Sequence, residues 1–157
     1  MPTKDDNWKK DRIGSAHSGR NPMVLSNMKS GFAVMGDTQF LPGYCVLLPY
    51  VEVSSLNDLS MKHRTDYLLD MSIIGDVVTE VCKPKRINYS IYGNSDAFLH
   101  AHIFPRYEWE GKDYITKPVW NYSQDHWIDG GYLYSEKKHL KLRKKLMECF
   151  REKGYTL

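Results

Sequence analysis

Two apolar runs on either side of a short polar loop constrain the fold more than any other stretch of this chain. Over residues 86–92, apolar and polar side chains alternate, which is the pattern of a half-buried strand. The loop at residues 93–96 reads Gly-Asn-Ser-Asp, and a second apolar run follows at residues 99–106. Strands joined by so short a connection pair in opposite directions. The segment therefore predicts two neighbouring antiparallel strands.

Two histidines, His100 and His102, lie two positions apart at the start of the second run. Alternate residues of a strand share a face, so both imidazoles should project on one side together with Phe98 and Phe104. Such a pair could bind a metal ion, hold a phosphate group, or combine a nucleophile with an anion-binding partner. A buried, hydrogen-bonded pair with a purely structural role is the remaining alternative.

The rest of the chain predicts an α+β domain built on an antiparallel sheet of about five strands, in the order β-β-β-α-β-β-α. A helix over residues 62–82 has apolar side chains at three- and four-residue spacing and separates the third strand from the fourth. A last helix, at about 136–153, begins after Ser135 as its cap. The predicted strands lie at residues 23–25, 31–35, 44–50, 86–92 and 99–106. Residues 1–157 are interpreted as a single domain.

Two segments lack a regular pattern. Residues 1–21 are polar and contain glycine, and we expect a loosely ordered arm with at most one helical turn. Residues 107–134 are rich in tryptophan and tyrosine without a clean period. An aromatic loop of this length usually has a function or pads an interface. The basic faces of the last helix are interpreted as solvated surface rather than a nucleic-acid site.

Composition narrows the class of protein. With 157 residues, 41% of them hydrophobic, the chain can bury one ordinary core, and its net charge of +3 does not demand a nucleic-acid partner. No apolar run approaches the roughly 18 residues of a membrane span, and the N-terminus lacks the apolar core of a signal peptide. We therefore expect a cytoplasmic protein without a membrane segment. Three distant cysteines without zinc-site spacing are expected to be buried free thiols.

The chemistry of the histidine pair can be narrowed from its surroundings. A metal site needs a third and usually a fourth ligand; although Glu108 lies close by, no fitting set is found, and no metal site is predicted. A neutral imidazole is a good nucleophile near pH 7 and a competent leaving group, so it can divide a displacement at phosphorus into two steps. Asn94 and Ser95, turned closely by Gly93, could supply donors to the phosphate oxygens.

These residues resemble the signature of the histidine triad (HIT) superfamily of nucleotide hydrolases and transferases. That signature is a loop ending Gly-Gln-Ser or Gly-Gln-Thr, then three histidines alternating with apolar residues, often followed by Pro-Arg. Here the chain reads Gly-Asn-Ser at residues 93–95 and His-Ala-His-Ile-Phe-Pro-Arg at residues 100–106. Upstream, Pro-Gly-Tyr at residues 42–44 is similar to the family's Pro-Gly-His. The resemblance covers about residues 23–106 and is strongest to bacterial members described as diadenosine tetraphosphate hydrolases.

The resemblance assigns unequal roles to the two histidines. It places His100 at the central, nucleophilic position, held by a backbone carbonyl near the first triad position, and His102 at the third position. Phe98 then stands at the first triad position and Tyr44 at the histidine of Pro-Gly-His. We expect Tyr44 and Phe98 to lie near each other, and the acid that protonates the leaving group is not identified.

The resemblance implies a HIT-like fold and a hydrolase that cleaves dinucleoside polyphosphates at the α-phosphate through a nucleotidyl-histidine intermediate. The substrate would be held by His102 and by Asn94 and Ser95 at the matching positions. Asp37 and Asn88, each one residue away from the family's ribose-binding and strand-end amide positions, are further candidates. The base would rest against apolar residues of strands 23–36, with Phe32 as a wall. No organic cofactor is implied, although a divalent cation could accompany the substrate phosphates. A homodimer is expected. A nucleotidyltransferase, a non-catalytic nucleotide-binding module and a nucleic-acid end-processing enzyme remain alternatives.

Overall fold

The computed structural model describes residues 6–157 and contains a five-stranded antiparallel sheet with the strand order β1-β2-β3-β5-β4. The strands are β1 (Val24–Asn27), β2 (Gly31–Met35), β3 (Cys45–Pro49), β4 (Arg86–Ile91) and β5 (Ala101–Arg106). The predicted fold class and element order are confirmed. The two strands flanking the Gly-Asn-Ser-Asp loop pair directly, and Ser90 lies opposite His102.

The helices agree with the sequence pattern where that pattern is long. The two long helices begin after serines whose side chains accept a backbone N–H of the first turn, Ser60 from His63 and Ser135 from Lys138, at 3.2 Å each. Within the described residues the helices are α1 (Arg12–His17), α2 (Met61–Cys82), α3 (Lys112–Ile115), α4 (Asp125–Ile128) and α5 (Glu136–Glu152). None of them has both the length and the apolar character that crossing a bilayer requires.

The sheet separates two groups of buried side chains. Helix α2 packs against β3, β4 and β5, and α5 packs against α2 and β1. Ala101 and Ile103 of β5 are fully buried in the larger core, which also holds Tyr67 of α2. Because side chains alternate, Phe104 points to the opposite face and joins a smaller cluster with Tyr44. His102 therefore also lies on the face that α2 does not cover.

The expectation of a loose N-terminal arm is wrong for the part that the structure describes. Asp6–Asp11 form a 3-10 turn that leads into α1. The Asp11 side chain caps α1 by accepting the backbone N–H of Gly14 at 2.9 Å. Ile13 and Ala16, three positions apart, are buried in the core. A helix of six residues is too short to give a detectable period, and its stability comes from this packing. Residues 1–5 of the predicted arm lie outside the described residues.

The aromatic segment folds back over the second face of the sheet. It consists of short helical turns, including Glu108–Glu110, α3, Val119–Asn121 and α4. The guanidinium of Arg106 anchors it: this side chain is 3% exposed, donates to the Glu110 carboxylate at 2.9–3.2 Å, and donates to the carbonyl oxygens of Tyr114 and Lys117 at 2.7 Å each. The segment therefore packs on the face of the sheet that carries Tyr44 and Phe104.

Candidate active site

Four rings form a row along the face of the sheet opposite α2, at the start of β5. Consecutive ring centroids are 4.9 Å apart for Phe98–His100, 4.9 Å for His100–His102 and 5.6 Å for His102–Phe104. Strand β5 begins at Ala101, so His100 precedes it, yet the alternation of side chains continues through both histidines. We call these four rings the floor of the site.

His100 is held in one tautomer by the backbone. Its Nδ1 lies 2.8 Å from the carbonyl oxygen of Phe98. A carbonyl can only accept, so Nδ1 carries the proton and Nε2 of the neutral ring keeps a free lone pair. Gly93 supports this arrangement: its φ is +72°, and a Cβ there would approach the Phe98 carbonyl oxygen to 3.2 Å. The loop thus fixes the ring through backbone atoms, whatever side chain stands at position 98.

His102 is held by a side chain instead. The Tyr44 hydroxyl lies 2.7 Å from Nδ1 of His102. Burial, together with the negative charge of Asp37, raises the pKa of the Tyr44 hydroxyl, so the phenol stays protonated. Among residues 6–157 this hydroxyl contacts no other acceptor, so it donates to Nδ1 of His102. Burial, with a smaller contribution from His100, lowers the pKa of His102 to about 4. At neutral pH His102 is therefore an uncharged ring with its proton on Nε2.

A cavity of about 230 Å³ opens beside the floor. One wall is apolar and comes from β2, β3 and the residue before β1, and the rim is polar. The apolar wall comprises Met23, Val34, Met35, Val46 and Leu48. The rim comprises Trp8, Arg12, Asn21, Asp37, Thr38 and Asp96. Tyr44, Phe98, His100 and His102 all line this cavity, so Tyr44 and Phe98 lie on the same face of the sheet. Tyr44 contacts His102 and Phe104, whereas Phe98 contacts His100.

A second groove, of about 460 Å³, lies on the other side of the histidines. The loop residues Asn94 and Ser95 line it together with Tyr92 and Trp120. Both histidines, Asp96 and Trp120 border the cavity and the groove alike. The histidine pair therefore stands at the junction of two chambers, one mainly apolar and one lined by small polar residues and exposed aromatic rings.

Two tryptophans of the aromatic segment form the roof of the site. The rings of Trp120 and Trp127 stack with centroids 4.8 Å apart and an interplanar angle of 15°. The rings of Trp120 and His102 form a T-shaped pair with centroids 5.2 Å apart. Both tryptophans also form T-shaped pairs with Phe104. The roof keeps water away from His102, which is the physical cause of its lowered pKa.

Asp37 reaches the cavity with a partner that the sequence did not reveal. Its two carboxylate oxygens accept from Nη1 and Nη2 of Arg12 at 3.0 and 2.7 Å. The Arg12 guanidinium lies over the Trp8 ring, 5.2 Å from its centroid. The N-terminal turn and α1 thus bring a cation and an indole to the rim, beside the carboxylate.

The structure brings five of the seven predicted site residues together. His100, His102, Asn94, Ser95 and Asp37 border the two chambers. Phe32 does not: it packs against His17 and Tyr50 in a separate cavity. Asn88 does not either, because its side-chain oxygen accepts from Arg106 Nη1 at 2.9 Å, in a groove along β4.

These two corrections have one cause. Alternation predicts which face of a strand a side chain occupies, but not where along the strand the cavity lies. Phe32 lies two residues before Val34 and opposite Leu48, where the cavity ends, and its ring packs against His17 and Tyr50 instead. Asn88 shares its face with Ser90 and lies opposite Phe104 rather than His102.

The site contains residues that the sequence analysis did not identify, among them Trp8, Arg12, Trp120 and Trp127. The four-residue spacing of Trp8 and Arg12 was the available signal for one helical face. Among residues 6–157, no group of three or more His, Cys, Asp or Glu side chains could hold a metal ion.

Comparison with known proteins gives distant relatives. No family model matches the sequence. A bis(5'-adenosyl)-triphosphatase of Saccharomyces cerevisiae is 29% identical over 117 residues, which cover 70% of this chain and 54% of the relative. The chain thus spans about half the length of the curated relatives it matches.

Solved structures share the fold over most of the chain. A histidine triad protein from Sinorhizobium meliloti has a TM-score of 0.69 at 16% identity, covering 93% of this chain and 95% of that one. A histidine triad protein from Marinobacter aquaeolei has a TM-score of 0.69 at 19% identity, covering 82% and 88%. The diadenosine triphosphate hydrolase of Plasmodium falciparum has a TM-score of 0.60 at 15% identity, covering 83% and 78%.

Proposed function

This chain has the fold of the histidine triad proteins, and on that premise we propose that it hydrolyses dinucleoside polyphosphates at an α-phosphate. The observation that carries the proposal is the state of His100. Its Nδ1 is bound to the Phe98 carbonyl, its Nε2 is free, and it stands between two chambers. A substrate with two arms joined at phosphorus fits that arrangement.

In the first step, Nε2 of His100 attacks the α-phosphorus. A P–N bond forms, the anhydride P–O bond breaks, and the electron pair leaves on the bridging oxygen. The ring becomes a nucleotidyl-imidazolium that keeps its Nδ1 proton on the Phe98 carbonyl, which stabilises the positive charge. In the second step, water attacks phosphorus, the P–N bond breaks, and its electron pair returns to Nε2. The water proton passes to solvent as nucleoside monophosphate is released.

Phosphate oxygens are proposed to receive hydrogen bonds from the Nε2–H of His102 and from the side chains of Asn94 and Ser95. All three residues border the groove beside His100. Donors fixed before the reaction stabilise charge that develops in the transition state. A divalent cation would arrive with the polyphosphate and be bound mainly by its oxygens.

The nucleoside is proposed to occupy the apolar cavity. Val34, Val46 and Leu48 supply the wall for the base that the sequence had assigned to Phe32. The Asp37–Arg12 pair at the rim supplies acceptors and donors for the ribose hydroxyls. The remaining phosphates and the second nucleoside would lie in the groove, where Tyr92 and Trp120 expose ring surface for stacking. We propose diadenosine tetraphosphate as the first substrate to test, and a homodimer in the cytoplasm as the working form.

The experiment is AMP release from diadenosine tetraphosphate and diadenosine triphosphate by purified protein, followed by chromatography. His100→Ala should lower the rate by about 10⁴-fold or more, as loss of a nucleophile does. His63→Ala is the matched control, because His63 is an exposed histidine at the start of α2, and its rate should equal that of the parent protein.

Chemical rescue and product analysis test the mechanism further. His100→Gly with added imidazole should recover part of the activity, because the free base can take the place of the missing ring. Retained cleavage in His100→Ala would refute the mechanism. Products formed with and without an acceptor phosphate separate hydrolysis from nucleotidyl transfer.

A further inference from the structure

The site holds its second histidine as a hydrogen-bond donor rather than as an acid. Nδ1 of His102 accepts from the Tyr44 hydroxyl at 2.7 Å. The ring is enclosed by Trp120 at 5.2 Å and Phe104 at 5.6 Å. An imidazole transfers a proton readily only from its cationic form. Because burial keeps the pKa of His102 far below neutrality, that form is scarce where the enzyme would work.

The other polar groups that face the reacting position do not replace this acid. Within the described lining of the two chambers, Arg12 is permanently protonated, Asp37 is paired with it, and Asp96 is an exposed carboxylate. The Tyr44 phenol is committed to His102 and its pKa is raised by burial. Tyr92 lies at the outer edge of the groove, with its ring against Trp120.

The row of rings ends in hydrocarbon on both sides of the histidine pair. Phe98 packs on His100 at 4.9 Å, and Phe104 stacks on Tyr44 at 4.1 Å. Phe98 and Phe104 therefore occupy positions where an imidazole could have served as an acid. The hydroxyl of Tyr44 is directed at His102 and not at the groove.

We propose that this site discriminates by the leaving group: it cleaves bonds from the α-phosphate to acidic leaving groups, phosphates and polyphosphates, and discriminates against amines and alcohols. The inference rests on the proposed function. When an anhydride P–O bond breaks, the electron pair stays on a phosphate oxygen as a stable anion at neutral pH. When a phosphoramidate P–N bond breaks, the nitrogen must gain a proton in the same step, and the described lining of the two chambers holds no acid positioned to supply it. Tyr44 is the positioning residue, because it fixes the proton of His102 on Nε2.

The kinetic test compares substrates that share one adenylyl group. The set is diadenosine tetraphosphate, adenosine 5′-phosphoramidate, and aryl esters of AMP whose phenols span a range of acidity. We expect kcat/KM to fall steeply as the leaving group becomes more basic, and the phosphoramidate to react about 10²–10⁴-fold more slowly than the anhydride, the usual contribution of general acid catalysis. Equal rates for the anhydride and the amidate, or a flat series, would overturn the inference while the proposed function stood. If the anhydride is not cleaved, the proposed function itself fails.

A second arm does not depend on turnover. Nitrogen-15 NMR of the imidazoles should show His102 protonated on Nε2 and free on Nδ1 at every pH from about 5 to 8. Tyr44→Phe should disturb that tautomer and leave His100 bound to the Phe98 carbonyl. A cationic His102 at neutral pH would overturn the inference.

Phe98→His and Phe98→Leu give the complementary comparison. The new imidazole would lie beside His100 and could supply the missing proton, whereas leucine could not. We expect Phe98→His to accelerate the phosphoramidate relative to the anhydride by at least about tenfold. Tyr89 lies opposite Ile103 on the other face of the sheet, so Tyr89→Phe is the control and should leave that ratio unchanged. Equal ratios in the two Phe98 variants, or a change in Tyr89→Phe, would contradict the assignment.

Discussion

The floor and the roof of this site are built by different means. The floor is the row Phe98, His100, His102 and Phe104, and backbone structure places it: the pairing of β5 with β3 and β4, and the carbonyl that holds His100. The roof consists of the stacked rings of Trp120 and Trp127. Side-chain contacts place it: Arg106 is paired with Glu110 and donates to the Lys117 carbonyl, near Trp120 in the chain. The floor carries the proposed nucleophile, His100, whereas the roof sets the environment of the neighbouring His102.

Because of this difference, the reactivity of His100 and the proposed preference for a leaving group depend on different parts of the molecule. The lone pair on Nε2 of His100 depends on one backbone hydrogen bond and would survive changes in the roof. The uncharged state of His102 depends on burial beneath Trp120 and on the Tyr44 hydroxyl. A chain can therefore keep its nucleophile and alter its leaving-group preference through residues far away in sequence.

The largest expected effect comes from breaking the anchor between roof and floor. The Glu110 side chain is fully buried and accepts from Arg106, from the backbone of Tyr107 and from the Tyr122 hydroxyl. Glu110→Ala would leave the buried Arg106 charge without its partner, so the free energy of unfolding should fall by about 3–5 kcal/mol. Urea unfolding measures this loss.

The control for that change lies two residues earlier. Glu108 pairs with Lys85 at 2.9 Å, but its side chain is 73% exposed. Glu108→Ala should therefore cost less than about 1 kcal/mol. If the two variants were equally stable, the roof would not depend on the Arg106–Glu110 pair, and the contrast with the floor would be lost.

A second prediction uses acid to probe the roof. Burial first, and His100 second, lower the pKa of His102 from 6.5 to about 4, so the folded protein favours the neutral ring. Stability from this group is complete above pH 6.5 and is lost as pH falls from about 6.5 to about 4, because the unfolded chain binds the proton first. The loss should be on the order of 3 kcal/mol. Denaturant unfolding at pH 7.5, 5.5 and 4.5 measures it.

Two variants separate the roof from other acid-sensitive groups. His102→Gln should lack this part of the acid loss. Trp120→Ala should shrink it, because solvent reaching His102 brings its pKa back toward 6.5. An acid profile unchanged in Trp120→Ala would mean that Tyr44 and Phe104 alone enclose the ring.

The sequence predicted the floor well because alternation and a short loop are local signals. The structure pairs Ser90 with His102 across the connection of residues 92–100, as antiparallel neighbours. The misplacement of Phe32 and Asn88 marks the limit of such signals. Their faces were right, but their distance along the strands depended on His17, Tyr50 and Arg106, which lie far away in the chain.

The roof could not be predicted in the same way. Turns of three or four residues, such as Val119–Asn121 and α4, have no period to detect. Their position is fixed because Arg106 binds the carbonyl groups of Tyr114 and Lys117, which precede them, and because Phe40 packs against Tyr122 and Trp127. Those partners are tertiary contacts, and only the folded chain brings them together.

The smallest effect on stability is expected at the rim, where α1 meets the cavity. The Arg12–Asp37 pair has side chains 26% and 42% exposed, so Arg12→Ala should lower the free energy of unfolding by less than about 1 kcal/mol. The same change removes two donors from the rim of the cavity proposed for the nucleoside and leaves the Asp37 carboxylate without this partner. KM for the dinucleoside polyphosphate should therefore rise while kcat changes little, since His100 is untouched.

Lys9→Ala, which breaks an exposed pair with Asp6, is the control and should leave KM unchanged. A fall in kcat at constant KM in Arg12→Ala would instead place the guanidinium at the reacting phosphate, and the rim would then share the chemistry now assigned to the floor.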